Sequence, residues 1–121
     1  MATHNDDGKK GEALAKAFLE AKGYEILDEN WTFGKAEVDI IAYHNKTIIF
    51  VEVKARSGNY FGEPEEFVDN KKQQLLTDAA EEYVYVVGHK GEVRFDIISI
   101  SFKKGFETYL IKHIEDAFWN Y

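Results

Sequence analysis

The groups best suited to chemistry in this sequence are two carboxylates and a lysine that lie in apolar segments, namely Asp39, Glu52 and Lys54. Side chains of a β-strand alternate between its two faces, so Glu52 and Lys54 project together while Val51 and Val53 point into the core. A tight antiparallel hairpin between the two segments would bring Asp39 close to Glu52 across the ladder. The pattern therefore predicts two acidic groups and an ammonium on one surface.

A divalent cation is the partner that suits this set of groups. Mg²⁺ binds through one or two carboxylates and keeps several waters, which leaves room for a phosphate oxygen. We therefore predict Asp39 and Glu52 as metal ligands, with the backbone carbonyl of Val53 as a further ligand. Lys54 would orient or activate an attacking water and stabilise developing negative charge. The ordinary alternative is a solvated strand face, on which Glu and Lys are common.

Glu12 is a further acidic candidate, in the first predicted helix. It precedes Ala15 by one helical turn and Leu19 by two, so it falls on the core-facing stripe of that helix. A carboxylate on this side is costly unless it is paired or metal-bound, and it would complete the metal shell directly or through water. An acidic residue near a helix start also interacts favourably with the helix dipole. The sequence leaves both interpretations open.

Basic residues follow the predicted site along the chain. Arg56 comes directly after the Glu-Val-Lys segment, and Lys71 and Lys72 open the second long helix. We predict that these three residues contact the backbone of a nucleic acid. A polar, solvated surface is the alternative for each of them.

Periodicity and turn signals predict the elements that would position these residues. Helices are predicted over residues 6–22, from residue 64 or 65 to Gly88, and over 114–119. Strands are predicted over residues 24–31, 37–43, 47–54, 93–102 and 108–111, with a turn at 44–46 and a loop at 55–62. The end of the second helix is ambiguous, because residues 83–87 have strand propensity. This order predicts one domain over residues 1–121 of the α/β class, with a mixed central sheet flanked by helices.

Composition narrows the class of protein. The net charge of −7 counts against a protein that simply coats DNA, although a local basic patch and metal-neutralised carboxylates are compatible with it. The absence of cysteine excludes disulfides and zinc–thiolate sites. No apolar run approaches the roughly 20 residues that span a bilayer. We therefore expect no membrane partner and a cytoplasmic location.

Several motifs, taken together and in order, resemble the bacterial YraN family. They are Gly11-Glu12, Gly23-Tyr24-Glu25-Ile26-Leu27, Asn30-Trp31, Glu37-Val38-Asp39-Ile40-Ile41-Ala42, Phe50-Val51-Glu52-Val53-Lys54-Ala55-Arg56, Lys71 and Arg94-Phe95-Asp96. The resemblance covers nearly the whole chain, which makes it more specific than any single motif. Thr32 stands where the family usually has an arginine after the Asn-Trp pair.

The resemblance implies a restriction-endonuclease-like core, similar to that of archaeal Holliday-junction resolvases. It implies that Asp39, Glu52 and Lys54 form a PD-(D/E)xK triad, that Glu12 is the helix carboxylate beside it, and that activity depends on Mg²⁺ or Mn²⁺. The corresponding function is an endonuclease that hydrolyses phosphodiester bonds in DNA, including branched or repair intermediates. Recognition of a two-fold symmetric junction would favour a homodimer.

Two other functions remain open from the sequence. The first is a nucleic-acid-binding module that keeps the fold without cutting, a reading that Thr32 and the acidic net charge allow. The second is a protein-interaction domain that uses the aromatic C-terminus, Phe118, Trp119 and Tyr121. For these aromatic residues, packing over the core is the alternative to partner binding.

Overall fold

The computed structural model describes residues 4–57, 69–103 and 108–118, with side chains given from residue 8 and up to residue 56 of the first stretch. Two helices and five strands follow in chain order. The helices are α1 (His4–Ala21) and α2 (Asn70–Val87). The strands are β1 (Glu25–Phe33), β2 (Ala36–His44), β3 (Thr47–Ser57), β4 (Glu92–Phe102) and β5 (Tyr109–Ile114).

The five strands form one mixed sheet in the order β1-β2-β3-β4-β5. Neighbouring strands are antiparallel except for β3 and β4, which are parallel and are connected through α2. The β2–β3 turn has positive φ angles at Asn45 (50°) and Lys46 (64°), as the primed two-residue hairpin turns require. The predicted antiparallel hairpin is therefore confirmed.

Each face of the sheet is covered by one helix. On the first face, α1 buries Ala15 and Leu19 against Ile49 and Val51 of β3. On the other face, the buried residues of α2 pack with residues of β2, β3 and β4, namely Leu76, Ala79, Ala80, Tyr83, Val38, Phe50, Phe95 and Ile97. A mixed sheet between helices is the predicted α/β class, and it is consistent with a restriction-endonuclease-like core.

Strand β3 is longer than predicted. It continues to Ser57, so the loop predicted over residues 55–62 is wrong for residues 55–57. The cause is the parallel ladder with β4, which pairs Ala55 with Ile100 and Arg56 with Ser101. The rest of that predicted loop, residues 58–62, lies outside the described residues, as do the predicted first residues of the second helix, 64–68.

The end of α2 resolves the ambiguity over residues 83–87 in favour of helix. The helix continues to Val87 and is closed by Gly88, which adopts the left-handed conformation (φ 71°, ψ 30°) and donates its N–H to the carbonyl of Val84. Tyr85, Val86 and Val87 have strand propensity but are exposed on the helix surface. The glycine C-cap and the burial of Tyr83 against the sheet therefore outweigh local propensity.

The C-terminal helix predicted over residues 114–119 is wrong for its described part. Strand β5 extends to Ile114 and is followed by a turn, in which Asp116 has a positive φ of 54°. The turn places the N–H of Ala117 2.7 Å from the carbonyl of Phe95, and the ring of Phe118 stacks on that of Phe95 at 5.1 Å. Phe118 thus packs over the core, whereas Trp119 and Tyr121 lie outside the described residues.

Candidate metal centre and active site

Asp39 lies where β2 and β3 separate. The ladder between these strands runs from His44–Thr47 to Ile40–Val51, while both strands continue beyond it. At the next position, the Asp39 carboxylate accepts the N–H of Val53 at 2.8 Å. Because this N–H points along the sheet, the carboxylate occupies the gap in which a carbonyl of β2 would lie if the ladder continued.

The alternation of β2 is interrupted at the same residue. Val38 belongs to the core under α2, whereas Ile40 belongs to the core under α1, although residues two apart on a regular strand share a face. Asn30, which the register places across from this point on β1, has a positive φ of 51°. The two irregular positions bend the end of the sheet and direct Asp39 into the gap.

Glu52 lies beside this gap and is nearly buried, with 6% of its surface exposed. Lys54 Nζ lies 3.2 Å from Glu52 Oε2, which confirms that these two side chains share a face of β3. The ammonium of Lys72, from α2, contacts the same carboxylate oxygen. Glu52 is therefore held between two lysines from different elements.

Burial and like charge act together on Asp39. Burial first, and then the negative charge of Glu52, raise the pKa of Asp39 from 3.8 to about 7, against the lowering effect of the Val53 N–H. Such an effect requires that the two carboxylates lie close together. The site therefore concentrates negative charge at the place where the sequence predicts a cation.

The two lysines respond in opposite directions. Burial lowers the pKa of Lys54, and the charge of Glu52 only partly offsets this. Burial also acts to lower the pKa of Lys72, but its hydrogen bond to Glu52 and the charge of that group raise the pKa overall. Lys54 is thus the more readily deprotonated of the two, as a lysine near a reacting water needs to be.

Glu12 reaches the same neighbourhood from α1. Burial raises the pKa of Glu12, the Asn30 side chain lowers it through a hydrogen bond, and Glu37 and Glu52 raise it by their charge. The helix approaches β3 closely because of Gly11, where an added Cβ would lie 2.6 Å from the Cβ of Ala55. Gly11 therefore fixes how near Glu12 comes to the carboxylates of the sheet.

The donors present suit a hard cation with an incomplete protein shell. Two carboxylates border the gap, and the N–H and C=O of a strand residue point to the same side, so the Val53 carbonyl also faces it. Within the described ranges, no three carboxylate, imidazole or thiolate side chains are grouped as a complete metal site. The chemistry of these donors fits a hard cation such as Mg²⁺ or Mn²⁺ that keeps several of its waters.

The three predicted nucleic-acid contacts lie in different surroundings. Lys71 is exposed and lines a cavity of about 290 Å³ next to the site, together with Lys72 and Lys35. Arg56 is half-buried near the end of β3 and donates to the carbonyl of Ala55 at 3.1 Å. The Lys72 side chain contacts Glu52 and is 37% exposed. Contact of all three residues with a nucleic acid stays a prediction.

A second polar centre, which we call the Asp96 cluster, comprises Asp96, Arg94, His113, Tyr24 and the N–H of Asp116. Asp96 is fully buried (0% exposed). It accepts two bonds of 2.8 Å from Arg94 and one of 3.0 Å from the Asp116 N–H, and its Oδ2 lies 2.7 Å from His113 Nε2. Arg94 also donates to the Tyr24 hydroxyl at 2.8 Å. The cluster joins β4, β5, the turn after β5 and the residue before β1.

Sequence analysis missed this cluster. The available signal was one aspartate inside the apolar strand of residues 93–102, since a buried carboxylate needs partners. The partners themselves come from β5 and the turn after it, where a helix was predicted.

Comparisons with known proteins agree on one family. The model of the Uncharacterised protein family UPF0102 matches residues 11–100. The UPF0102 protein of Flavobacterium psychrophilum is 50% identical over 121 residues, which is 100% of both chains. Those of Christiangramia forsetii and Parabacteroides distasonis are 50% and 43% identical over 119 residues, covering 98% of this chain and 98% and 97% of theirs. No helix in the described stretches has both the length and the apolar character needed to cross a membrane.

Proposed function

The chain belongs to the uncharacterised protein family UPF0102, also called YraN, and from this premise we propose that it is a metal-dependent endonuclease that hydrolyses phosphodiester bonds in DNA. One observation carries the proposal: Asp39 and Glu52 border a gap between two strands, with Lys54 Nζ 3.2 Å from Glu52. This combination supports hydrolysis because it provides a cation site and an ammonium at one place.

Each residue has a distinct part in the proposed reaction. Asp39 and Glu52 would hold the cation, and the Val53 carbonyl faces the same gap. A bound Mg²⁺ or Mn²⁺ would polarise the scissile phosphate and acidify an attacking water. Lys54 orients that water and stabilises the negative charge that develops on the phosphate oxygens. Its lowered pKa favours proton transfer near neutral pH.

The proposed substrate is DNA whose backbone follows the basic side of the site. Lys71 and Lys35 line the adjacent cavity, and Arg56 lies near the end of the strand that carries Glu52 and Lys54. Local positive charge of this kind attracts phosphate even when the net charge of the chain is −7. For branched substrates with two-fold symmetry, we propose a homodimer, which would present two such sites to the two cleaved strands.

The test is cleavage of labelled four-way junctions, flaps, single strands and duplexes in the presence of Mg²⁺ or Mn²⁺. We expect Glu52→Gln and Lys54→Met to reduce cleavage by about 10²–10³-fold or more, as losses of single charge-stabilising groups do. Glu115→Gln is the matched control, because it makes the same chemical change at an exposed residue that lies beside the Asp96 cluster. Equal cleavage by the wild type and both site variants would reveal a contaminating nuclease and remove the proposal.

A nucleic-acid-binding module without cleavage is the second candidate, and one observation favours it. Lys54 and Lys72 both contact Glu52, so a stable ion-paired site exists without a cation. In this case DNA binding would persist in EDTA and weaken as salt is added. Binding that requires the metal, together with cleavage, would exclude this candidate.

A further inference from the structure

The proposed reaction assigns no part to Lys72, although this side chain lies at the site. Its ammonium contacts Glu52 Oε2, the same oxygen that Lys54 approaches. Lys72 also lies within the electrostatic reach of Asp39. One amine from α2 therefore contacts one of the two carboxylates that the proposed function assigns to a cation, and its charge acts on the other.

The backbone of Lys72 is fixed, whereas its side chain can move. Its N–H is bound at 2.8 Å by the side chain of Asp69, which caps the start of α2. The first turn of the helix is thereby held over the site. The side chain beyond Cα is a flexible four-carbon stem with a compact charge, which can exchange between partners without moving the helix.

Two ammonium groups oppose the two carboxylates when no metal ion is bound. Asp39 and Glu52 provide two carboxylates, and Lys54 and Lys72 provide two ammonium groups. A divalent cation that enters this site adds positive charge next to both amines. Lys72 is the group that can leave, because it is anchored through a long stem on a different element, whereas Lys54 lies on the same strand face as Glu52.

We propose that Lys72 is a tethered counter-ion, which neutralises the carboxylates while the metal is absent and is displaced from Glu52 when a divalent cation binds. The proposal rests on the metal site of the proposed function. Once displaced, the ammonium is close to the position of the scissile phosphate and can contact it. Lys72 is thus a positioning residue that couples metal binding to phosphate binding and lowers the affinity of the empty site for cations.

The test measures Mn²⁺ binding by calorimetry, without nucleic acid, in the wild type and in Lys72→Met. We expect the dissociation constant for Mn²⁺ to fall by about tenfold in the variant, because a positive charge that competes for Glu52 has been removed. Lys71→Met is the matched control, since it removes the same charge from the neighbouring, exposed residue. Lys72→Arg keeps the charge and should bind Mn²⁺ with nearly wild-type affinity.

A second measurement tests the contact between Lys72 and Glu52 without metal, through its effect on the stability of the folded protein. In EDTA, Lys72→Met should lower the urea midpoint of unfolding in the wild-type background, and have little effect in the Glu52→Gln background. Lys72→Gln serves in the same way if the methionine variant does not fold.

The outcomes separate this proposal from the proposed function. Tighter Mn²⁺ binding by Lys72→Met alone supports the counter-ion role. Equal binding by the wild type and Lys72→Met overturns that role but leaves the metal site in place. If neither the wild type nor any variant binds Mn²⁺, both the counter-ion role and the metal-dependent reaction are overturned.

Discussion

The candidate metal site and the Asp96 cluster are two buried acidic centres in one small sheet, and they treat their carboxylates in opposite ways. Burial would raise the pKa of Asp96, but hydrogen bonds from His113, Arg94 and the Asp116 N–H lower it overall. At the other centre, burial and the nearby Glu52 raise the pKa of Asp39 to about 7. The ionised form of an aspartate is thus stabilised in the Asp96 cluster and destabilised in the candidate metal site.

The opposite pKa shifts distinguish a carboxylate with a structural role from one that has the features of the proposed metal site. Asp96 receives donors to both of its oxygens and joins strands, a turn and the start of the sheet. Asp39 is placed beside another carboxylate, an arrangement that reduces stability unless a cation relieves it. Repulsion between Asp39 and Glu52 is what the proposed metal site would show before a cation binds, whereas Asp96 already has its partners within the protein.

The largest effect should come from the Asp96 cluster. Asp96→Asn removes the fully buried partner of Arg94, whose own side chain is 22% exposed, and removal of one partner of a buried ion pair costs about 3–5 kcal/mol. Urea unfolding at pH 7 measures this loss. Glu115→Gln, a change at the exposed partner of Arg94, should cost less than about 1 kcal/mol. A loss of similar size in both variants would contradict the structural role of Asp96.

Asp39→Asn should have the opposite sign in metal-free protein. Folding raises the pKa of Asp39, so the energetic penalty is absent below pH 3.8, grows as the pH rises and is complete above about 7. At about 1.4 kcal/mol per pKa unit, the asparagine variant gains at most about 4 kcal/mol at pH 8 and almost nothing at pH 4. Unfolding in EDTA at these two pH values measures the gain.

The pH slopes of the two variants sharpen the comparison further. The pKa of Asp96 is lowered in the folded state, so its contribution is present at neutral pH and is lost as the pH falls through that lowered value. The destabilisation by Asp96→Asn should therefore change mainly below pH 3.8, whereas the stabilisation by Asp39→Asn should change mainly between pH 3.8 and about 7. Parallel pH profiles for the two variants would refute the distinction drawn here.

The smallest effect should be stabilisation by the metal itself. A ligand at ten times its dissociation constant stabilises the folded state by about 1.4 kcal/mol. We expect Mn²⁺ at this concentration to raise the free energy of unfolding of the wild type by this amount, and with it the unfolding midpoint, and to leave Glu52→Gln nearly unchanged. Glu115→Gln should respond like the wild type, because its change is remote from the gap. A midpoint that rises equally in Glu52→Gln would place the bound metal elsewhere.

The sequence was sufficient for the parts of the site that depend on local periodicity. Alternation along β3 correctly placed Glu52 and Lys54 together, and the short turn correctly paired β2 with β3. The separation of the strands at Asp39 was not predicted, because it depends on the irregular positions at Asp39 and Asn30. The inward position of Lys72 follows from its spacing of one turn before Leu75 and Leu76, whereas its contact with Glu52 depends on how α2 lies across the sheet.

Long-range pairing also explains the errors outside the site. The last residues of β3 have loop-like composition, yet the parallel ladder with β4 extends them as strand. Residues 114–118 have helical periodicity, yet β5 and its turn are held by Asp96 and Phe95. In each case tertiary partners, which are distant in sequence, outweighed local preference.

The parallel pairing of β3 with β4 has a consequence for the order in which the chain folds. The strands β1 to β3 are joined by short turns and pair locally, whereas β4 can join only after the chain has passed through α2. Contacts of such sequence separation form slowly. We therefore expect the β2–β3 edge of the acidic gap to form before the helix that carries Lys72 reaches it, so that in a newly made chain Lys54 alone opposes the charge of Glu52 until the crossover closes.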